Sequence, residues 1–156
     1  ILVNISKKHS IKIVHQTQED NISTLQNFYL SNNLENNIFS YDRNLSTIMM
    51  QADLCITRAG ASSLAELSVL SIPFIAVPLP SARDDHQSAN ANFYKDKDCC
   101  WILEQSVFEE KIEVFLENIL KDKRDYLKKK ESLKKLNYDN SWINVNQKIL
   151  ININEN

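Results

Sequence analysis

Short apolar runs and amphipathic stretches alternate along the chain. Residues 73–77 (P-F-I-A-V) are apolar throughout, which is typical of a buried strand, whereas residues 10–15 alternate between polar and apolar. In residues 19–30, apolar side chains recur at helical spacing. The whole pattern predicts strands over residues 10–15, 37–41, 52–57, 73–77 and 99–103, helices over 19–30, 63–70, 85–95 and 107–120, and a small helix through Leu45, Ile48 and Met49.

This alternation of strands and helices, with short connections, predicts the fold class. Consecutive strands joined through helices form right-handed βαβ units, which build a parallel sheet. Because the helices then cover both faces of the sheet, we expect an α/β protein. No internal repeat or Gly/Ser-rich linker divides residues 1–156, so we predict one domain.

The composition narrows the class of protein. The 156 residues are 43% hydrophobic, enough for a sizeable core, and a net charge of −2 argues against a nucleic-acid partner. No apolar run approaches the roughly 20 residues that span a bilayer. Cys99 and Cys100 are adjacent, so the three cysteines do not suit a disulfide framework, and a reduced, cytosolic setting fits best. The chain opens in an apolar pattern without Met, and we interpret it as part of a longer polypeptide.

The C-terminal third has a different character, because residues 121–135 carry eight lysines and arginines. These could form a basic surface that meets an anionic membrane or partner. The interspersed Asp and Glu favour a solvated amphipathic helix instead. We predict C-terminal helices over about 121–150, the last of them carrying Trp142, Ile143, Val145 and Ile149.

The turn around Gly60 is the first candidate site. It follows a predicted strand, and ligands of parallel α/β sheets bind where strands lead into helix N-termini. Gly60 and Ala61 allow a ligand to approach the backbone, and the helix N-terminus suits a phosphate. Glu66 has two interpretations. It could complete a capping box with Ser63, or its carboxylate could accept hydrogen bonds from a vicinal diol such as ribose.

The second candidate site is the loop after the strand at 73–77. Asp84 or Asp85 is expected to cap the next helix, whose first turns carry His86, Gln87 and Asn90. Gln87 and Asn90 share a helix face, and their amides suit neutral sugar hydroxyls. The alternative is an ordinary polar first turn. We predict neither a metal site nor a cofactor.

Together these segments resemble a known family. Residues 58–67 (R-A-G-A-S-S-L-A-E-L), followed by the prolines of 72–78 and by 85–91 (D-H-Q-S-A-N-A), resemble family 28 glycosyltransferases of bacterial peptidoglycan synthesis. The resemblance also includes residues 15–17, 41–42 and 51–53. It implies the C-terminal half of a GT-B enzyme, a Rossmann-like parallel sheet that binds UDP-GlcNAc.

The resemblance also implies a role for individual residues. The turn would offer backbone amides to the pyrophosphate and the sugar, Glu66 would bind the ribose, and the backbone at Asp42 would pair with uracil. Gln87, helped by His86 and Asn90, would bind GlcNAc hydroxyls, and Arg83 lies near enough to offer charge to a phosphate. The implied UDP-GlcNAc-binding positions are Asp42, Gly60, Ala61, Ser62, Ser63, Leu64, Ala65, Glu66, His86, Gln87 and Asn90.

Other parts of the family's machinery are expected upstream of Ile1. These are the first strand with its Gly-rich phosphate loop, and an N-terminal half carrying the lipid acceptor site, the membrane-docking patch and the general base. We therefore predict no catalytic residue in this chain, which alone would be inactive; His9 is expected at the surface and His15 at a strand end bordering the donor loop.

The resemblance implies inverting transfer of GlcNAc from UDP-GlcNAc to lipid I, at the inner face of the bacterial plasma membrane. Two other functions stay open. The chain could be the donor-binding subunit of another GT-B transferase of UDP-sugars, or a non-catalytic module that binds nucleotide sugars.

Overall fold

The computed structural model describes residues 1–82 and 85–139, together with positions 141, 143, 144 and 147. Strands and helices alternate through most of this part of the chain. The strands are β1 (Lys12–Gln16), β2 (Glu35–Phe39), β3 (Cys55–Thr57), β4 (Phe74–Ala76) and β5 (Cys100–Ile102). The helices are α1 (Leu2–Ser6), α2 (Ile22–Ser31), α3 (Leu45–Met49), α4 (Ala61–Val69), α5 (His86–Lys95), α6 (Phe108–Lys121) and α7 (Lys123–Asp139).

Every strand and helix predicted within residues 10–120 is present, with shifted ends. The predicted helix over 19–30 begins as a 3-10 turn, Glu19–Asn21, before α2. Helix α1 was not predicted. It forms because the apolar start of the chain packs onto α6, where Ile5 is buried beside Ile112 and Ile119.

All strand pairs are parallel, as predicted, but the strands of the described residues form two hydrogen-bonded sheets rather than one. The first pairs β1 with β2, and Val14 lies opposite Asn37. The second has the order β3-β4-β5, and Ile75 lies between Ile56 and Trp101. The predicted α/β class is confirmed.

Helices cover both faces of the three-stranded sheet, because side chains alternate along its central strand. Phe74 and Ala76 of β4 point to one face, where they join a buried cluster. Ile75 and Val77 point to the other face. The first cluster draws on α4, α5 and α7 through Leu64, Leu67, Ala91 and Leu133, and the second on α1 and α6 through Ile5, Ile112, Leu116 and Ile119.

Helix α7 is an amphipathic helix that packs onto the domain. Leu133 is fully buried in the first cluster, and the Tyr126 hydroxyl donates to the carbonyl of Asp53 at 3.0 Å. Two of its lysines, Lys128 and Lys129, form ion pairs with Asp98. This packing and pairing favour the amphipathic-helix interpretation over a free basic surface.

The predicted last helix falls mostly outside the described residues, which omit Trp142, Val145 and Ile149. Ile143 is described, and its side chain is exposed. Within the described part of the chain, no helix is both long and apolar enough to cross a bilayer.

Candidate functional site

A groove of about 600 Å³ lies at the carboxyl ends of strands from both sheets. In parallel α/β proteins this edge of the sheet is where ligands bind. The lining residues are the last residues of β1 and β3, residues that follow β3, β4 and β5, and residues at the start of α6. They are His15, Gln16, Ile56, Thr57, Arg58, Val77, Gln105, Ser106, Phe108 and Glu109.

The turn after β3 leads directly into α4, with Gly60 at the N-cap position. Its φ of −68° and ψ of 136° are ordinary extended values, so the backbone conformation itself does not require glycine. The helix's first internal hydrogen bond runs from Leu64 N to Gly60 O at 3.0 Å. The N–H groups of residues 61–63 therefore lie at the positive end of the helix, the arrangement that the predicted phosphate contacts need.

The capping-box interpretation of Glu66 is wrong. It required Ser63 at the N-cap, but α4 begins at Ala61, two residues earlier than predicted, and Gly60 receives no side-chain cap hydrogen bond. Glu66 is the sixth residue of the helix rather than its third. Its side chain is exposed, so the carboxylate is accessible to a ligand.

The other predicted positions on α4 differ in exposure. Ser62, Ser63 and Ala65 are exposed. Leu64 is fully buried in the core, and its N–H is bound to Gly60 O. Leu64 therefore fixes the start of the helix and presents no side-chain group outward.

Helix α5 begins at His86, which is exposed. Of the two predicted caps, Asp85 occupies the N-cap position but its side chain forms no cap hydrogen bond. The reason is the backbone, because Asp85 adopts the left-handed region with φ 51° and its N–H bonds to Ala82 O at 3.1 Å. Arg83 and Asp84 lie outside the described residues.

Gln87 and Asn90 bring the two candidate segments together. Gln87 Oε1 accepts from the backbone N–H of Ala59 at 3.2 Å and from that of Leu79 at 3.0 Å. Asn90 Nδ2 donates to the carbonyl of Ala59 at 3.0 Å. The start of α5 is therefore attached to the turn that precedes α4. These contacts show a structural role for Gln87 and Asn90, and the binding of sugar hydroxyls by this segment stays a prediction.

Asp42 lies in the loop after β2, half-buried. Its Oδ1 accepts from Asn44 N at 2.6 Å, so the side chain shapes the loop that leads into α3. The same loop is joined to the end of β1, because Gln16 Nε2 donates to Ser40 O at 3.1 Å. The carboxylate is thus engaged within the loop, and the predicted backbone contact of Asp42 stays a prediction.

His15 borders the groove from the end of β1. Its Nδ1 lies 2.9 Å from the hydroxyl of Tyr29, and burial lowers the pKa of the imidazole. The ring is therefore held neutral at physiological pH. His9, expected at the surface, is half-buried in the turn after α1.

Arg58 lines the groove and was not singled out from the sequence. Its Nη1 donates to Gln105 Oε1 at 2.6 Å and approaches Val77 O at 3.4 Å. The exposed guanidinium thus connects the turn before α4 with the residues after β4 and β5. The sequence did contain a signal for Arg58, because it is a basic residue directly after a predicted strand and beside the predicted phosphate site.

The described residues contain no group of three or more His, Cys, Asp or Glu side chains that could hold a metal ion. The cysteines are free thiols. Burial raises the pKa of Cys55 to about 11 and that of Cys100 to about 12, so these thiols stay protonated at neutral pH.

Comparison with known proteins shows the family to which this chain is similar. The family model for the "Glycosyltransferase family 28 C-terminal domain" matches residues 2–141. A Pelagibacter ubique (strain HTCC1062) protein, named UDP-N-acetylglucosamine--N-acetylmuramyl-(pentapeptide) pyrophosphoryl-undecaprenol N-acetylglucosamine transferase, is 40% identical over 99% of the chain and 44% of its own length. A relative of the same name from Sulfurovum sp. (strain NBC37-1) is 40% identical over 64% of the chain and 29% of its own length.

A solved structure agrees. The crystal structure of Acinetobacter baumannii MurG superimposes with a TM-score of 0.70 at 27% identity, covering 85% of this chain and 40% of that one. The chain thus spans less than half the length of the relatives that it matches. It belongs to glycosyltransferase family 28, and the match corresponds to that family's C-terminal domain.

Proposed function

We propose that this chain is the donor-binding part of an inverting glycosyltransferase that moves GlcNAc from UDP-GlcNAc to lipid I, forming lipid II in peptidoglycan synthesis. The observation that carries the proposal is the N-terminal turn of α4. It follows a strand end, has glycine at the N-cap and exposes Glu66 one turn later. The names of the relatives supply the identity of the substrates.

In this proposal the nucleotide lies along the carboxyl edge of the strands. Amides from Gly60 to Ser63 bind the pyrophosphate, and the carboxylate of Glu66 accepts hydrogen bonds from the ribose hydroxyls. The backbone at Asp42 pairs with the uracil edge. The amides of Gln87 and Asn90, with His86, lie beside the sugar. Arg58, which lines the groove at the carboxyl ends of the strands, adds positive charge two residues before Gly60.

The proposed mechanism depends on where negative charge develops during the glycosyl transfer. In an inverting transfer the acceptor 4-hydroxyl gives its proton to a general base and attacks the anomeric carbon, while the bond to the UDP oxygen breaks and leaves negative charge on the β-phosphate. Fixed N–H dipoles at the start of α4 stabilise that charge without reorganising. No metal is required in this scheme, because the helix terminus and Arg58 supply the positive potential.

The acceptor site and the general base would lie on the part of the relatives that this chain does not span. Lipid I is membrane-bound, so we place the intact protein on the inner face of the bacterial plasma membrane, peripherally attached. Closure of the two halves over the donor would exclude water from the reacting bond.

The test is calorimetric titration of the folded chain with UDP-GlcNAc, and with UDP and UDP-GalNAc as comparators. The proposal expects UDP-GlcNAc to bind more tightly than UDP-GalNAc, with UDP retaining part of the affinity. Binding of all UDP-sugars without preference would favour a different UDP-sugar transferase. If a chain shown to be folded by circular dichroism binds none of the three, these residues do not form a donor site on their own.

A further inference from the structure

Ala59 has both of its backbone polar groups bound by side chains of α5. Its N–H donates to Gln87 Oε1 at 3.2 Å, and its carbonyl accepts from Asn90 Nδ2 at 3.0 Å. The Ala59 side chain is fully buried. Buried backbone groups need partners, so the two amides satisfy a requirement of the fold immediately before Gly60 and α4.

The orientation of the Gln87 amide is fixed by chemistry. Both of its partners, the N–H groups of Ala59 and Leu79, are donors, so the oxygen and not the nitrogen must face them. One oxygen therefore joins the turn after β3 to the loop after β4. With Oε1 engaged in this way, the side chain can offer a ligand only the donor group Nε2.

We propose that Gln87 and Asn90 are positioning residues for the nucleotide, in addition to any contact with the sugar. By holding Ala59, they set the position of Gly60 and of the first amides of α4, where the pyrophosphate is proposed to bind. This inference rests on the proposed function. A positioning role and a role in binding only the sugar predict different affinities for UDP, because UDP carries no sugar.

The variants Gln87→Leu and Asn90→Leu each remove the amide while keeping approximate size. If the amides position the turn, the affinities for UDP and UDP-GlcNAc both fall, by about tenfold for each variant, as expected for one or two lost hydrogen bonds. Asn92→Ala is the matched control, since it removes an exposed amide from the same helix. Its affinities should equal those of the wild type.

Amide hydrogen exchange provides a readout that needs no ligand. In Gln87→Leu the amides of Ala59 and Leu79 should lose protection. Gln87→Glu keeps an oxygen that can accept from both N–H groups, so protection of the two amides should be retained. Because Gln87→Glu should keep these hydrogen bonds, it keeps the proposal testable even if the leucine variants misfold.

Two results would overturn the positioning role. The first is unchanged UDP affinity in both leucine variants, with only the extra affinity for UDP-GlcNAc lost, which would mean that the amides bind the sugar alone. The second is unchanged exchange at Ala59 in Gln87→Leu. A folded wild-type chain that binds no UDP would instead show that these residues do not form a donor site on their own, which is a failure of the proposed function's own test, so the two failures are distinguishable.

Discussion

Gly60 and Ser63 border an open space at the start of α4. A Cβ built on Gly60 would lie 3.9 Å from Ser63 Oγ, an ordinary contact distance, and it meets no nearer atom among the described residues outside its chain neighbours. With φ at −68°, the backbone conformation does not require glycine at this position, although glycine is a common N-cap residue. The proposed approach of a ligand to the backbone would give a second reason for glycine here.

Gly60→Ala should therefore separate binding from stability. The added methyl fits the free protein, and the free energy of unfolding should change by no more than about 1 kcal/mol. Affinity for UDP-GlcNAc should fall at least about tenfold, because the methyl would occupy the space proposed for the pyrophosphate. Calorimetry and urea denaturation measure the two quantities. Unchanged affinity would contradict a backbone contact at this turn.

Glu66→Ala tests the proposed ribose contact. Removing a carboxylate that accepts from two hydroxyls should lower UDP-GlcNAc affinity roughly ten- to hundredfold. Since Glu66 is exposed and caps no helix, the free energy of unfolding should stay within about 0.5 kcal/mol of the wild type.

Glu66→Gln is the matched control for this prediction. It keeps one acceptor oxygen and should lose less affinity than the alanine variant. Equal affinity of the wild type and Glu66→Ala, measured by calorimetry, would remove Glu66 from the donor site.

The ion pairs of Asp98 should stabilise the packing of α7. Lys129 is buried and pairs with Asp98, and its Nζ also lies 3.4 Å from Asp125 Oδ1. Lys128 and Lys129 hold the pKa of Asp98 below its usual range. In Asp98→Asn the buried ammonium loses one of its two carboxylate partners and keeps Asp125, so we expect a loss of about 2 kcal/mol in the free energy of unfolding.

Lys129→Met provides the comparison for Asp98→Asn. It removes the buried charge together with its need for a partner, and should cost less stability than Asp98→Asn. Asparagine also tolerates the left-handed backbone at position 98, where φ is 56°, so backbone strain does not confuse the comparison. Urea denaturation measures the free energy of unfolding of both variants. A larger loss of stability in Lys129→Met than in Asp98→Asn would contradict this prediction.

His15 should make stability depend on pH in a defined direction. Burial lowers its folded-state pKa below the unfolded value of about 6.5, so the unfolded chain binds the proton more readily. The free energy of unfolding should therefore decrease as the pH falls through about 6.5, and this contribution should level off below the folded-state pKa.

His15→Asn tests this dependence, because its amide can bond the Tyr29 hydroxyl without titrating. Between pH 8 and pH 5.5, measured by urea denaturation, the variant should lose less stability than the wild type. An identical loss would show that other groups carry the pH dependence.

Local pattern was sufficient for most elements of this fold. The fully apolar β4 and the helical spacing in α2 and α6 were visible in sequence, since burial on one face or both imposes a period. The first and last residues of the helices and strands were predicted less accurately. Helix α4 begins at Ala61 rather than Ser63, and this small shift determined whether Glu66 is a cap or an exposed carboxylate.

The sequence by itself determined the α/β class, the positions of the turn at Gly60 and of the Gln87–Asn90 segment, and the family resemblance, because these depend on residue types at short spacing. Only the tertiary structure decided that the strands of the described residues form two sheets and that α1 packs on α6. It also decided that Gln87 and Asn90 bond to Ala59, about 30 residues away in sequence. Contacts between distant segments depend on how whole elements pack, and local periodicity carries no information about that packing.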